Sequence, residues 1–269
     1  MVSTRAEFAV ADDLLREAAH SRLATHGTIS VEKSGRIGPV IELTFGSIQF
    51  ADQYRSVSVS GAFSDNLRTA LQTGQSFGSG FGDCVGAFPL SEHNPVTTAG
   101  SAWDQWTIHA ENIAKSKGLN AQLIASLMGA MVELQDNVYE HSNAPQTGLV
   151  AYAATAASFE LVVADRGIGV LRTLRQNPVY AGLPDVGAAL KEMIKEGVSR
   201  FPMESGRGQG FNQLFRALVG HNVELRFRSG DHALTMRPTS DALHGATALA
   251  QVASLEGLTI SVFYRVNVG

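Results

Sequence analysis

Apolar residues recur at roughly helical spacing through residues 6–24, with Phe8, Leu14, Leu15, Ala18, Ala19 and Leu23, and predict a helix that ends before Gly27. Next come TISVEKS (28–34), PVIELTFGSIQF (39–50) and SVSVSGAF (56–63), whose alternation and β-branched content predict strands. SDNLRTALQTG (64–74) has a polar cap, a short apolar stripe and a terminal glycine, and predicts a helix. The glycine-rich GQSFGSGFGDCVG (74–86) and NPVTTAG (94–100) read as a mobile loop or hinge. Gly78, Gly80 and Gly82 would suit a phosphate loop, but the lysine such a loop needs is missing.

From Ser101 the texture changes. SAWDQWTIHAENIAKSKG (101–118) predicts a helix, and residues 120–142 a longer one with Leu123, Leu127, Ala130, Leu134 and Val138 on its buried side. Strands are expected at 147–155 and 159–165, then helices at 186–197 and 210–220. Further strands are expected at 222–229, 233–238 and 258–266. The order predicts an α/β chain in two parts. A small α/β module at 1–100 precedes a two-layer α/β sandwich with a mixed sheet at 101–269. Trp103 and Trp106, three apart on one helix face, would pack at the junction.

The long helix ends in MVELQDNVYEHS (131–142), too polar for a helix that only packs. Glu133, Asn137 and His141 stack at four-residue intervals on one face. ADRGIG (164–169) follows an apolar strand, GRGQGF (206–211) precedes a helix, and GLT (257–259) opens the last strand. Each has a physical reading within a nucleotide site. Asp165 at a strand end can accept a hydrogen bond from an exocyclic amine such as adenine's. Gly167 and Gly169 let the backbone pass close to a flat ligand. The second glycine run, with Gly206, Arg207, Gly208 and Gly210, offers N–H groups to an anion at a helix start. Asn137 offers a neutral oxygen to Mg²⁺, and Glu133 can polarise a water for attack on a terminal phosphate. Taken singly, the polar face also fits a satisfied buried cluster or a solvated side, and D-x-G-x-G a tight bend.

In this order the motifs resemble those of the GHKL superfamily of ATPases, which have the Bergerat fold. ELQDNVYEHS resembles the N box, DRGIG the first glycine box, GRGQG the second, and EGLTISV the closing Gly-Thr strand with Leu258 intervening before Thr259. The resemblance covers 101–266. It implies that Asn137 binds Mg²⁺, that Asp165 contacts the adenine amino group, that the glycine boxes surround the phosphates, and that 171–205 form an ATP lid. His141 resembles the N-x-x-x-H pattern of anti-sigma-factor serine kinases, in which it orients a phosphate or caps the helix. Histidine kinases carry a phosphoacceptor histidine followed by an acid, whereas here His109 is followed by Ala110. Three functions follow from the resemblance: a slow Mg-dependent ATPase, a kinase acting on a separate protein, and a nucleotide-gated binding module.

Composition narrows the setting. Apolar residues make up 44% of the chain, which suffices for a sizeable core, and a net charge of -4 without a basic cluster argues against a nucleic-acid or anionic-membrane surface. One cysteine, Cys84, excludes an internal disulfide and any multi-cysteine metal site. The N-terminal stretch lacks a signal-peptide core and no apolar run reaches membrane-spanning length, so a cytoplasmic protein is expected. Residues 1–100 are expected to bind a protein partner or a second copy of the chain.

Overall fold

In the computed structural model the described residues are 4–5, 7–20, 25–26, 29–30, 36–51, 57–59, 61–80, 82–90, 100–195, 218, 221–237 and 246–266. An open sheet of five strands organises them: β5 (Val85–Pro89), β6 (Leu149–Ala154), β7 (Ser158–Asp165), β8 (Val223–Arg237) and β9 (Ala246–Arg265), in the spatial order β5-β6-β7-β9-β8. Every neighbouring pair is antiparallel, which corrects the expected mixed sheet. Among the described residues, parallel pairing occurs only in two-residue bridges, β1 (Thr4–Arg5) with β3 (Ile29–Ser30) and β2 (Thr25–His26) with β4 (Val57–Ser58).

Helices cover both faces. On one face, α4 (Ala102–Ser116) and α5 (Ala121–His141) bury Trp106, Leu127, Met131 and Leu134 against Tyr152, Phe159, Leu161, Val163 and Ile260. Strand alternation turns Leu149, Ala151, Val162 and Ala164 to the other face. There they meet Leu15 of α1 (Phe8–His20), Ile41 and Phe45 of α2 (Gly38–Ala51), and Leu67 of α3 (Ala62–Thr73). The chain is thus α/β: sheet, α4 and α5 form a two-layer unit, and the N-terminal helices add a layer behind it. The boundary expected near residue 100 falls between β5 and α4, and both pack in this one assembly.

Several elements differ from the sequence pattern. PVIELTFGSIQF is α2 and not a strand. Ten of its residues, from Gly38 to Gly46 together with Phe50, are buried. A helix buried on all sides loses the one-sided stripe by which helices are recognised. The strands expected at 222–229 and 233–238 are one strand, β8, kinked by a register shift at Gly230. The last strand begins at Ala246, well before Leu258. Only Leu218 of the helix expected at 210–220 is among the described residues.

The glycine-rich loop is hydrogen-bonded to the sheet and to α4 at Phe77, Gly78 and Asp83, whereas residues 94–99 of the expected hinge lie outside the described residues. Trp106 Nε1 donates to Phe77 O at 2.9 Å, and the single Tyr152 Oη proton is shared between Gly78 O at 2.6 Å and Asp83 O at 3.0 Å. A ring nitrogen of His109, Nε2, lies 3.2 Å from Asp83 O. Trp103 and Trp106 stack with centroids 5.8 Å apart and pack edge-on against Phe88 of β5.

A buried charge cluster joins the N-terminal helices to β8. Glu42 of α2 accepts from Arg226 Nε at 3.0 Å and from Arg228 Nη1 at 2.9 Å, and Asp12 of α1 bridges both guanidiniums at 2.7 and 2.8 Å. Burial would raise the Glu42 carboxyl, but Arg226 and Arg228 overcome that and hold it below its usual value. Beside this cluster, Arg36 reaches Glu160 at 3.2 Å and Ser261 at 3.3 Å, and pairs with Glu224. Glu42→Ala would leave Asp12 as the one carboxylate bonded to the two buried guanidiniums among the described residues and should lower the unfolding free energy by roughly 3–5 kcal/mol in urea titrations. The wild-type contribution of Glu42 is present above its ordinary pKa of 4.5 and is lost as pH falls below that value. Equal stability of wild type and variant at pH 7 would contradict this role.

Candidate functional site

Helix α5 starts on an Asn120 cap, whose side chain accepts from Leu123 N–H, and runs to His141. Glu133, Asn137 and His141 are half-buried along one side of it, next to the stripe Leu127, Met131, Leu134 and Val138 that packs in the core. The helix ends against the Asp165–Gly169 turn. Ile168 N–H donates to Ser142 O at 2.9 Å, Arg166 N–H to Thr147 Oγ1 at 3.0 Å, and Thr173 Oγ1 to His141 O at 3.2 Å. The approach at Gly167 is closer still, since a Cβ there would lie 2.0 Å from Ser142 O. Glycine is required at this point of the turn.

Asp165 closes β7 on the α5 face of the sheet, following Val163 in the alternation, and is 5% exposed. Gly167 N–H donates to its Oδ1 at 2.7 Å, and Leu258 N–H also faces the carboxylate. Burial pushes its pKa up to about 6, against the lowering effect of these two donors. Among the described residues no Lys, Arg or His pairs with it. Opposite the turn, Gly257 has φ +82°, and a Cβ there would lie 1.9 Å from Asp165 O, so the closing strand abuts the turn at its glycine.

Thr259 does not join this group. It pairs in register with Ala164 and Arg228, whose side chains lie on the face of the N-terminal helices, whereas Asp165 pairs with Leu258. Directly opposite residues share a face, so the expected closing threonine points away from the carboxylate. The intervening Leu258 accounts for the displacement. Gly206, Arg207, Gly208 and Gly210 lie outside the described residues, as do residues 196–205 of the expected lid and its Arg200. The described part of the lid contains α6 (Gly169–Leu174) and α7 (Val186–Met193). Ala189, Leu190 and Met193 of α7 are buried in the main core, and Lys195 pairs with Glu192 on the surface at 2.5 Å.

The electrostatics of α5 are those of an anionic edge. Glu133 is raised by burial and then by Asp136, and Asp136 by burial and then by Glu140. Glu133 Oε2 and Asp136 Oδ1 are buried without a hydrogen-bond partner among the described residues. No group of three His, Cys, Asp or Glu among the described residues forms a protein-only metal cage. Asp136 was absent from the residues singled out by spacing, and its position three residues after Glu133 is the only sequence signal for it. Among the described residues no helix is long and apolar enough to cross a membrane.

Compared with protein-family models, with curated proteins and with solved structures, the chain finds no match in any of the three.

The buried Asp165 predicts a pH dependence of the free protein. A carboxyl whose folded pKa is raised contributes stability that is complete below the unfolded value of 3.8 and is lost as pH rises through about 6. Unfolding free energy should therefore fall from pH 4 to pH 7 by roughly 3 kcal/mol more in wild type than in Asp165→Asn. Parallel stability profiles for the two proteins would contradict the raised pKa of this buried carboxyl.

Proposed function

We propose that the chain binds Mg-ATP in the manner of the GHKL ATPases it resembles, and that it hydrolyses the nucleotide slowly. The observation that carries this reading is the junction of α5 with the Asp165–Gly169 turn. Two motifs more than twenty residues apart in sequence meet through the Ile168–Ser142 hydrogen bond, beside a buried carboxylate with no basic partner among the described residues. Beyond the Gly167 and Leu258 N–H groups, a carboxylate so placed has acceptor capacity for the amino group of adenine.

The residues of α5 fit the accompanying cation. Asn137 offers a neutral oxygen among the carboxylates of Glu133, Asp136 and Glu140, and Mg²⁺ held with the phosphates supplies the positive charge this edge lacks. Glu133, its Oε2 without a partner among the described residues and its pKa raised, accepts a proton from a water. The water oxygen bonds to the terminal phosphorus as the bond to the β-phosphate oxygen breaks, leaving ADP and phosphate. His141 at the end of the helix orients a phosphate, and by the resemblance Gly206, Arg207, Gly208 and Gly210 complete the phosphate surround with Gly167 and Gly169. The N-terminal helices, behind the same sheet, carry the nucleotide state to a protein partner or a second copy.

Calorimetric titration with Mg-ATP and with labelled γ-phosphate tests the reading. Asn137→Ala should lose magnesium-dependent binding, and Asp165→Asn should bind adenine nucleotides about tenfold or more weakly. Glu133→Ala should bind normally while releasing phosphate at least about a hundredfold more slowly. Wild-type binding by Asn137→Ala would overturn the site, and label retained on the protein or passed to another would replace hydrolysis with kinase chemistry.

A further inference from the structure

The Asp165–Gly169 turn has a second anchor. In register, Asp165 of β7, Leu258 of β9 and Ser229 of β8 form one row across three strands. The turn leaves β7 at Asp165, crosses β9 at Gly257 and reaches β8 at Ser229. There Val170 N–H donates to Ser229 Oγ at 3.1 Å, and Ser229 Oγ donates to Gly257 O at 2.7 Å. Ser229 is 2% exposed. The register between β8 and β9 shifts just beyond it, from Ser229–Leu258 to Gly230–Leu255, so Glu256 and Gly257 have no partner in the β8 register. The hydroxyl therefore satisfies two backbone groups, one in the turn and one in the bulge.

The frame under Ser229 is hydrogen-bonded on both sides. The preceding residue, Arg228, is held by Asp12, Glu42 and the carbonyl of Ala253. On the other side of the bulge, Gln49 of α2 acts as a neighbouring peptide would, donating to Ser254 O at 3.0 Å and accepting from Glu256 N–H at 2.8 Å. The turn is thus suspended between a buried carboxylate and a buried hydroxyl.

We infer that Ser229 is a positioning residue, which sets the Gly167–Val170 backbone at the distance from α5 that a ligand on this turn requires. Its claim on nucleotide affinity rests on the Mg-ATP reading, whereas its claim on the turn does not. Hydrogen exchange of the peptide spanning Ile168–Val170 tests the second directly, in free wild type, Ser229→Ala and Ser229→Cys. The cysteine variant keeps the volume but loses the strong hydrogen bonds, which guards against loss of folding in Ser229→Ala. Exchange in that peptide should quicken about tenfold in both, with the peptides of α4 unchanged. Ser261→Ala, which removes a comparably buried hydroxyl from the Arg36 and Glu160 cluster, serves as control and should leave the turn unaltered. Mg-ATP titration should then give about tenfold weaker binding for the Ser229 variants and wild-type binding for Ser261→Ala. Unchanged exchange at the turn in Ser229→Ala and Ser229→Cys overturns the inference. Quickened exchange with undiminished Mg-ATP affinity removes its functional half. A wild type that binds no Mg-ATP overturns the nucleotide reading instead and leaves the anchoring of the turn to the exchange result.

Discussion

The antiparallel pairing of β7 with β9 is the constraint on which the remaining geometry depends. It runs from Ser158–Arg265 to Asp165–Leu258 and stops where Gly257 turns to positive φ. Side-chain alternation along these two strands sends Leu161, Val163 and Ile260 to α5 and Val162 and Ala164 to the N-terminal helices. The same ladder delivers Asp165 to the edge of the α5 layer, with its carbonyl so close to Gly257 that no other residue fits there. A one-residue slip would exchange the two faces and take the carboxylate away from the helix.

Behind that ladder, the two faces of the sheet are built on different principles. The α4–α5 face is largely apolar, with Trp103 stacked on Trp106 and edge-on contacts to Phe88 and Tyr152. The N-terminal face combines aliphatic packing with two buried ion-pair clusters, one around Arg226 and Arg228 and one around Arg36. Desolvating these charges is costly, and their mutual contacts offset it together with the Ser261 hydroxyl, the Ala253 carbonyl and the Ile37 N–H. Gln49 and the ring of Phe45, which lies 5.9 Å from the Arg166 guanidinium, bring α2 to the rim of the turn. The N-terminal layer and the candidate site therefore share a boundary through named contacts.

What the sequence disclosed follows from where its signals are local. The helices at 101–118 and 120–142, the strand ending at Asp165 and the tight D-x-G-x-G turn were legible because caps, periodicity and glycine positions are written within a few residues. Helix α2 was misread because burial on every side erases the polar face that marks a helix. The length of β9 was missed because ATALAQVASL is rich in alanine and has no clear alternation. Thr259 was assigned from motif order, and one intervening residue sufficed to turn it to the other face. Ser229 carried no signal, since its contact with the turn joins positions 59 residues apart in sequence.

The most direct measurement is nuclear magnetic resonance of the isotope-labelled chain with ATP and a trace of Mn²⁺ in place of Mg²⁺, following paramagnetic broadening of backbone amides. A nucleotide site between α5 and the turn predicts the strongest broadening at Asn137 and neighbouring amides of α5, with lesser loss at Gly167, Ile168 and Gly169. Broadening concentrated elsewhere, or none at saturating nucleotide, would contradict it.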